Sequence, residues 1–340
     1  GDDSSFWYKR AENIISSIRL YHKHGLDVIP SMGVYNIETN DIELSTITTN
    51  AYLAKRIVKG NKENSIYVYG NEETEQFIDN KKLVLDFKKA LVNREFQIYF
   101  QPQNDIRTNE IKGAEALVRW FHKERGIIPP LKFISLFEET GDIVDLDLYV
   151  FEETCRILSD WKSHNYNLDS MIFSVNMSRR TFIQPYIALK YFEIAESYSI
   201  NPSMLELELT ESIFLGDNLL ISEHVQKFRD YGFNISIDDF GSGYSSLNVL
   251  KDMDITTLKI DKGFLETDLD NDYKATNIIE AIVKLAKDIN VKVIVEGIET
   301  ESQRIYLSEV GCDLGQGYLF SKPIPFEEFR ENYLIVSSNI

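Results

Sequence analysis

From Phe96 onward the chain alternates short apolar runs of strand length with longer stretches whose apolar residues recur every three or four positions. The strand candidates are FQIYFQP, KGAEALVRW, MIFSVNMS, LELELTES, NISIDDF, TLKID, VKVIVEGIE and, as the eighth, QGYLFS. Helical spacing fills most of the intervals: Leu131 to Glu139, Leu146 to Ser163, Ile187 to Ser199, Leu220 to Tyr231, Tyr273 to Ile289 and Glu301 to Val310. Eight strands alternating with helices over about 240 residues predict an α/β fold, a (β/α)8 barrel of the TIM type. The first connection is different. FQIYFQP and KGAEALVRW are separated only by NDIRTNE, too short for a crossover helix, so the two form a hairpin and the first strand runs antiparallel to the rest.

The residues before this repeat follow another pattern. Helical spacing over Phe6 to Lys23 is followed by a strand over Asp27 to Asn36, a helix over Asn50 to Val58 ending near Gly60, and a strand over Ser65 to Tyr69. A charged helical stretch from Glu72 to Asn93 then leads into the barrel. The predicted division is a partial α/β segment at 1–71, a linker helix at 72–92 and the barrel at 93–335.

In such a barrel the strand face toward the helices is apolar, so side-chain parity sorts each strand. Leu205, Leu207 and Leu209 face outward, which turns Glu206 and Glu208 inward, with Glu208 nearer the C-terminal mouth. The same alternation turns Asn176, Asp238, Glu296, Glu115 and Lys259 inward, each close to the C-terminal end of its strand, where barrel enzymes keep their chemistry. Asp239 breaks the parity. It reaches the same site as Asp238 only if the strand ends there and the backbone turns, which Gly241 and Gly243 permit.

Composition and charge add to this picture. With 340 residues, 43% of them hydrophobic and 26% charged, the chain has ample material for a core and does not read as disordered. The formal net charge of -18 argues against DNA or RNA as a partner, and an anionic ligand has to be held by local positive charge. Cys155 and Cys312 lie far apart with no metal-ligand spacing, which predicts two buried free thiols in a reducing, cytoplasmic setting. No apolar run reaches the length of a membrane span, so no membrane contact is expected in this stretch. The opening GDDSSFWYKR reads as the start of an excised fragment and leaves room for a membrane anchor upstream in the full protein.

Each acidic residue taken singly reads as a solvated strand end, Arg119 as a surface pairing and Lys259 as the partner of one carboxylate. Five carboxylates at one mouth are another matter, because like charges at such range raise each other's pKa steeply unless cations are present. Two hard divalent ions, Mg²⁺ or Mn²⁺, suit a donor set of carboxylates and one amide carbonyl, with Asp238 as the natural bridge. Such a pair clamps a phosphate and activates water, the chemistry of phosphodiester hydrolysis. Lys259 is placed to orient that water or to stabilise charge building on phosphorus, and Arg119 to bind a phosphate oxygen. Glu211, past the end of LELELTE, is the candidate to accept N–H groups from the loop Gly241 to Leu247, or else to cap the helix that follows it.

The motifs FQPQ, EALVRW, SVNMS, ELTES, DDFGSGYSSL, LKID, EGIET and QGYLFSKP closely resemble the EAL domain of cyclic di-GMP phosphodiesterases over residues 93 to 335. The resemblance implies a barrel with an antiparallel first strand that uses two Mg²⁺ or Mn²⁺ to cut cyclic di-GMP to linear pGpG. Residue by residue it implies metal ligation by Glu115, Asn176, Glu208, Asp238, Asp239 and Glu296, and Lys259 on the catalytic water. It sets Glu299 and Gln316 behind the ligands, Gln101, Arg119, Pro130 and Asp147 along the substrate, and Glu211 on the Gly241 to Leu247 loop. A homodimer through the barrel is implied as well. The one departure is Gln103, where isoleucine is common. A rival reading, a receptor that holds cyclic di-GMP without cutting it, is expected to have lost metal ligands, and this chain has lost none. The stretch AKRIVKGNKENSIYVY resembles the C-terminal half of a GGDEF domain, which implies a partial, regulatory GGDEF-like segment ahead of the barrel.

Overall fold

The computed structural model describes residues 4–20, 30–37, 43–58, 65–69, 71–168, 170–215, 218–241, 250, 253–265 and 273–334. The chain divides into two compact units, Gly1–Asp86 and Phe87–Ile340. Of the sequence expectations, the turn at Gly60, the first residues of the Asp27 strand, the end of the first helix and the loop beyond Gly241 lie outside the described residues.

In the first unit, helix α1 (Ser4–Leu20), strand β1 (Met32–Val34), helix α2 (Leu44–Ile57) and strand β2 (Ile66–Val68) follow one another. β1 and β2 pair in parallel, so α2 serves as the crossover that a parallel pair requires. α2 crosses β1 so closely that a Cβ on Gly33 would lie 2.0 Å from Ala51 O, which is why glycine stands there. The helix starts earlier than Asn50 because the Thr48 hydroxyl bonds back to Leu44 O at 2.9 Å, satisfying inside the helix a residue type that otherwise favours turns. Helix α3 (Asn71–Val92) contains the division between the two units.

The second unit holds the barrel. Its strands are β3 (Phe96–Asp105), β4 (Ile111–His122), β6 (Ile172–Asn176), β7 (Leu205–Thr210), β8 (Asn234–Phe240), β9 (Thr257–Ile260), β10 (Lys292–Val295) and β11 (Leu314–Gly315). Each pairs with the next, and β11 closes on β3, giving a ring of eight. β3 is antiparallel to both neighbours, β4 and β11, and all other pairs in the ring are parallel. Two short strands, β5 (Gly126–Ile128) on β4 and β12 (Ile324–Pro325) on β3, extend the wall at the C-terminal mouth. The helices around the ring are α4 (Pro130–Thr140), α5 (Ile143–Ser163), α6 (Arg179–Phe182), α7 (Ile187–Ser197), α8 (Asn218–Asp230), α9 (Tyr273–Asp288), α10 (Glu301–Val310) and α11 (Phe326–Tyr333).

The eighth strand is Leu314–Gly315 rather than QGYLFS. Gly317 approaches Ile298 so closely that a Cβ would sit 2.2 Å from Ile298 O, and the N–H groups of Phe320 and Ser321 fold back to Gly317 O. That segment is therefore a turn, and its apolar residues fooled the periodicity reading.

Outside the ring the core is aromatic. Phe100, Trp161, Phe173 and Phe329 are fully buried against one another, with Trp161 and Phe329 stacked at 5.8 Å between centroids. Each such ring removes roughly 150–250 Å² from water, about 4–6 kcal/mol of gross transfer energy, which anchors β3, β6, α5 and α11 together. Inside the ring the filling is polar, unlike the branched apolar layers usual in this fold. Gln103 on β3 reaches Ser174 on β6, Glu206 on β7 reaches Thr257 on β9, and Lys259 on β9 reaches Glu208 on β7. Each of these bonds skips the strand between its partners, so it runs through the barrel interior.

Candidate active site

The site begins where β8 stops being regular. Its pairing with β9 runs through Ile237 and resumes only at Phe240, and Asp239 takes a left-handed backbone with φ 55°. A residue in that conformation reverses the side-chain alternation, so two successive aspartates reach the same mouth. Carboxylate oxygens of Asp238, Asp239 and Glu296 lie within 4.8 Å of one another. Glu296 follows the end of β10, held there by its N–H on Ile260 O at 3.0 Å. Glu208 comes from β7 and Asn176 from the last position of β6, directly opposite in register.

Glu115 is the exception to the strand-end rule. Its strand continues to His122, because β4 keeps pairing with β3 and β5 above the ring. Its Oε1 accepts from Asn176 Nδ2 at 2.7 Å and its Oε2 from Gln316 Nε2 at 2.6 Å. Gln316 Nε2 also donates to Gln101 Oε1 at 3.1 Å, so both amides stand behind Glu115 and fix its orientation.

Lys259 sits at the centre with no exposed surface. Its Nζ lies 2.6 Å from Glu208, 2.7 Å from Glu296, 3.3 Å from Asp238 and 3.6 Å from Glu115. Burial works against its charge, but Asp238, Glu115, Glu208 and Glu296 outweigh it and hold its pKa well above the ordinary lysine range. The carboxylates carry the opposite strain. Burial, with Glu115 and Asp238 nearby, pushes Glu208 well above the usual carboxylate range. Burial likewise lifts Glu296 to about 7, Lys259 offsetting part of the rise, and raises Asp239, with Asp238 and Asp261 adding to it.

One ammonium with three N–H groups cannot satisfy five carboxylates. Glu208 Oε1 and Asp238 Oδ1 are buried without a hydrogen-bond partner, Asp238 Oδ1 being near the lysine but not aligned to accept from it. Unpartnered buried carboxylate oxygens cost free energy that cations recover. With Asn176 Nδ2 committed to Glu115, its Oδ1 is left as an acceptor. The donor set is thus all oxygen and suits hard divalent ions rather than zinc.

Two cavities share Glu115. One, of about 290 Å³, is lined by Gln101, Asp238, Glu296, Glu299 and Gln316. The other, of about 340 Å³, is lined by Arg119, Pro130, Asp147 and Asn176. The first cavity thus gathers Gln101 with Glu115, Asp238 and Glu296, the second gathers Arg119, Pro130 and Asp147 with Asn176, and Glu208 and Asp239 join the cluster through Lys259 and Asp238 rather than by lining either cavity. Asp147 differs from its neighbours because its Oδ2 accepts from Ser178 N at 2.9 Å and Thr181 Oγ1 at 2.6 Å, and burial lifts its pKa to about 6. That carboxylate tethers α5 to the turn after β6. Glu211 is buried, and its Oε2 accepts from Gly241 N at 3.3 Å.

Two aromatic residues escaped the sequence reading. The Arg119 guanidinium lies 5.7 Å from the Tyr99 ring, and Tyr318 lines the first cavity with Lys322 Nζ 5.2 Å from its ring. Tyr99 is legible in principle, since it lies two positions along β3 from Gln97, the residue opposite Arg119 in the hairpin register. Cys155 and Cys312 are both buried free thiols, Cys312 raised to about 12 by burial. Among the described residues no helix is long and apolar enough to cross a membrane.

Fold and site together define a (β/α)8-type barrel with an acidic, cation-demanding C-terminal mouth built around a buried lysine. The chain belongs to the EAL domain family, whose match covers residues 85–323. It is 35% identical over 309 residues to the signaling protein YkoW of Bacillus subtilis, covering 90% of this chain and 37% of that protein. It is 31% identical over 330 residues to the cyclic di-GMP phosphodiesterase PdeR of Escherichia coli, covering 95% of this chain and 49% of that one. The chain thus spans less than half the length of these two relatives. Among solved structures it is similar to the PaMucR phosphodiesterase in its c-di-GMP complex, with a TM-score of 0.69 and 35% identity over 73% of this chain and 99% of that one. The first unit lies almost wholly outside the family match.

Proposed function

We propose that this chain is a metal-dependent phosphodiesterase that hydrolyses cyclic di-GMP to linear pGpG in bacterial signalling. The observation that carries the reading is the gathering of Glu208, Glu296, Asp238 and Glu115 within 3.6 Å of Lys259 at one barrel mouth. Relatives and a solved neighbour named for cyclic di-GMP support the substrate.

Glu115, Asn176, Glu208, Asp238, Asp239 and Glu296 would hold two Mg²⁺ or Mn²⁺. When bound, such a pair neutralises the acidic mouth and brings the pKa of water toward neutrality. Gln316 and Asn176 keep Glu115 turned to the site through its two oxygens. Lys259, held protonated by the carboxylates around it, is a donor and not a base, and its N–H groups would orient the attacking water and stabilise charge on the phosphoryl oxygens. The water oxygen bonds to phosphorus, the P–O3′ bond breaks, and the 3′ oxygen leaves as a hydroxyl, which yields a 5′-phosphorylated linear dinucleotide. Arg119, cushioned on Tyr99, binds a phosphate oxygen at the edge of the mouth. A homodimer through the barrel and a regulatory, GGDEF-like first unit belong to the same proposal.

The purified chain should bind cyclic di-GMP in calorimetry and, with Mg²⁺ or Mn²⁺, convert it to pGpG on chromatography. Tight binding with no product in either metal would replace the enzyme by a receptor.

A further inference from the structure

A further cavity, of about 530 Å³, lies at the end of the barrel opposite the acidic mouth. Its lining includes the first residues of β6, β9, β10 and β11, namely Ile172, Thr257, Lys292 and Leu314, which places it at the N-terminal end of the parallel strands. We propose that this basal cavity is a binding site for a small phosphate monoester, and that Gln103 reports its occupancy to Glu115. This goes beyond the phosphodiesterase reading and its binding arm does not depend on it.

Four cations from separate segments line the cavity: Arg107 from the β3–β4 turn, Lys112 from β4, Lys287 from the end of α9 and Lys292 from the start of β10. In a chain of net charge -18 this is a local reversal of sign. Of the described lining residues three are carboxylates, each engaged in a local hydrogen bond, with Asp105 also facing Arg107 and Lys112 electrostatically and Glu206 facing Lys292. Asp105 accepts from the N–H groups of Arg107 and Thr108 at 3.0 and 2.8 Å, and Asp313 from Val293 N at 2.8 Å. Glu206 accepts from Thr257 Oγ1 at 2.6 Å, and burial raises its pKa toward the neutral form. Lys112 pairs with Glu110 at 2.8 Å and Lys287 reaches Val310 O at 3.4 Å, whereas among the described residues the side chains of Arg107 and Lys292 have no hydrogen-bond or ion-pair partner. Ile106, Ile172, Ile294 and Leu314 supply an apolar wall for the body of the ligand, and the volume falls within the range of small-molecule sites. A doubly charged phosphate accepts from Arg107 and Lys292 at once, and an organic body of sugar or nucleoside size fills the rest.

Gln103 is 2% exposed and belongs both to this cavity and to the polar interior. Its Nε2 donates to Gln316 Oε1 at 3.0 Å, and Gln316 Nε2 donates to Glu115 Oε2 at 2.6 Å. An amide has one donor end and one acceptor end. If Gln103 turns its NH₂ group toward an anion, Gln316 Oε1 loses its donor, and the orientation that aims Gln316 Nε2 at Glu115 loses its support. The residue that departs from the family's usual isoleucine is thus the one that makes a continuous polar path from the base to the mouth.

The test uses inorganic phosphate as the probe, with the whole chain in EDTA, where the five carboxylates of the mouth repel anions. Calorimetry should show one saturable site per chain. Arg107→Ala together with Lys292→Ala, both exposed positions, should weaken binding by about tenfold or more, while Lys190→Ala, an exposed cation on α7, leaves it unchanged. The side-chain amide signals of Gln103 and Gln316 should shift on titration, assigned from Gln103→Leu and Gln316→Leu. Binding no greater than chloride gives at equal ionic strength, or binding that survives the double substitution, overturns the site. Saturable binding with both amide signals unmoved overturns the link to Glu115. Neither readout uses hydrolysis, so failure here and failure of the phosphodiesterase reading are separate results.

Discussion

Replacing Lys259 by methionine keeps an unbranched apolar stem and removes the charged end, leaving Glu208 and Glu296 without the ammonium that now lies 2.6 and 2.7 Å from them. Each of those pairs is worth roughly 6 kcal/mol of Coulomb energy at an effective dielectric of about 20. The desolvation cost that the ammonium no longer incurs on folding and protonation of the abandoned carboxylates offset most of this, and breaking a buried pair costs about 3–5 kcal/mol net. For a barrel of this size that is a fall of about 10 °C in melting temperature. Divalent cations supply charge to the same carboxylates, so saturating Mn²⁺ should close much of the gap between variant and wild type, while turnover of cyclic di-GMP stays reduced roughly a hundredfold or more. The assay is differential scanning calorimetry of both proteins in EDTA and in Mn²⁺, with turnover measured alongside. A Lys259→Met chain that melts with wild type in EDTA would refute the electrostatic account of the mouth, and wild-type turnover would remove Lys259 from the chemistry.

On the proposed reading Asp238 is a metal ligand, so in an Mn²⁺ titration Asp238→Ala should lose affinity and activity together; activity retained at ordinary metal concentration would deny that role. Asp147 has a folded pKa near 6 against 3.8 unfolded, a raised carboxylate, so the stability it contributes is complete below pH 3.8 and is lost as pH climbs through 6, about 3 kcal/mol in all. Asp147→Asn keeps an acceptor for Ser178 and Thr181 and should melt at or above wild type at pH 7.5, with a flatter profile between pH 4 and 6; a marked loss at neutral pH would show that the ionised form is required. Glu211→Ala should fold yet lose roughly tenfold or more in turnover, since a charge-assisted bond of about 1.5–3 kcal/mol to Gly241 N holds the backbone just after Asp238 and Asp239. An unfolded variant would point to a capping role, and full activity would sink both readings.

Much of this was legible in the sequence because strand parity is strict. LELELTE can bury its leucines outside the ring only by turning Glu206 and Glu208 inward, and the structure has all six residues from Leu205 to Thr210 on that plan. The break at Asp239 was legible too, since only a turned backbone lets adjacent aspartates share a site, and its φ of 55° is that turn. What escaped were features set by pairing rather than by pattern. QGYLFS has a strand's composition, but a close approach between Gly317 and Ile298, invisible locally, makes it a turn. Glu115 sits mid-strand because β4 gains partners beyond the ring. The Gln103 to Gln316 to Glu115 chain joins residues more than 200 positions apart, and no periodicity reports such a contact.

The central claim is that water is added across one phosphodiester of cyclic di-GMP at this mouth. Hydrolysis in oxygen-18 water with Mn²⁺, followed by mass spectrometry of the product, tests it most directly. The expected product is linear pGpG carrying a single heavy oxygen on its 5′-phosphate, formed by wild type and not by Asp238→Ala. Cyclic di-GMP recovered intact, or a linear product without the heavy oxygen, would contradict it.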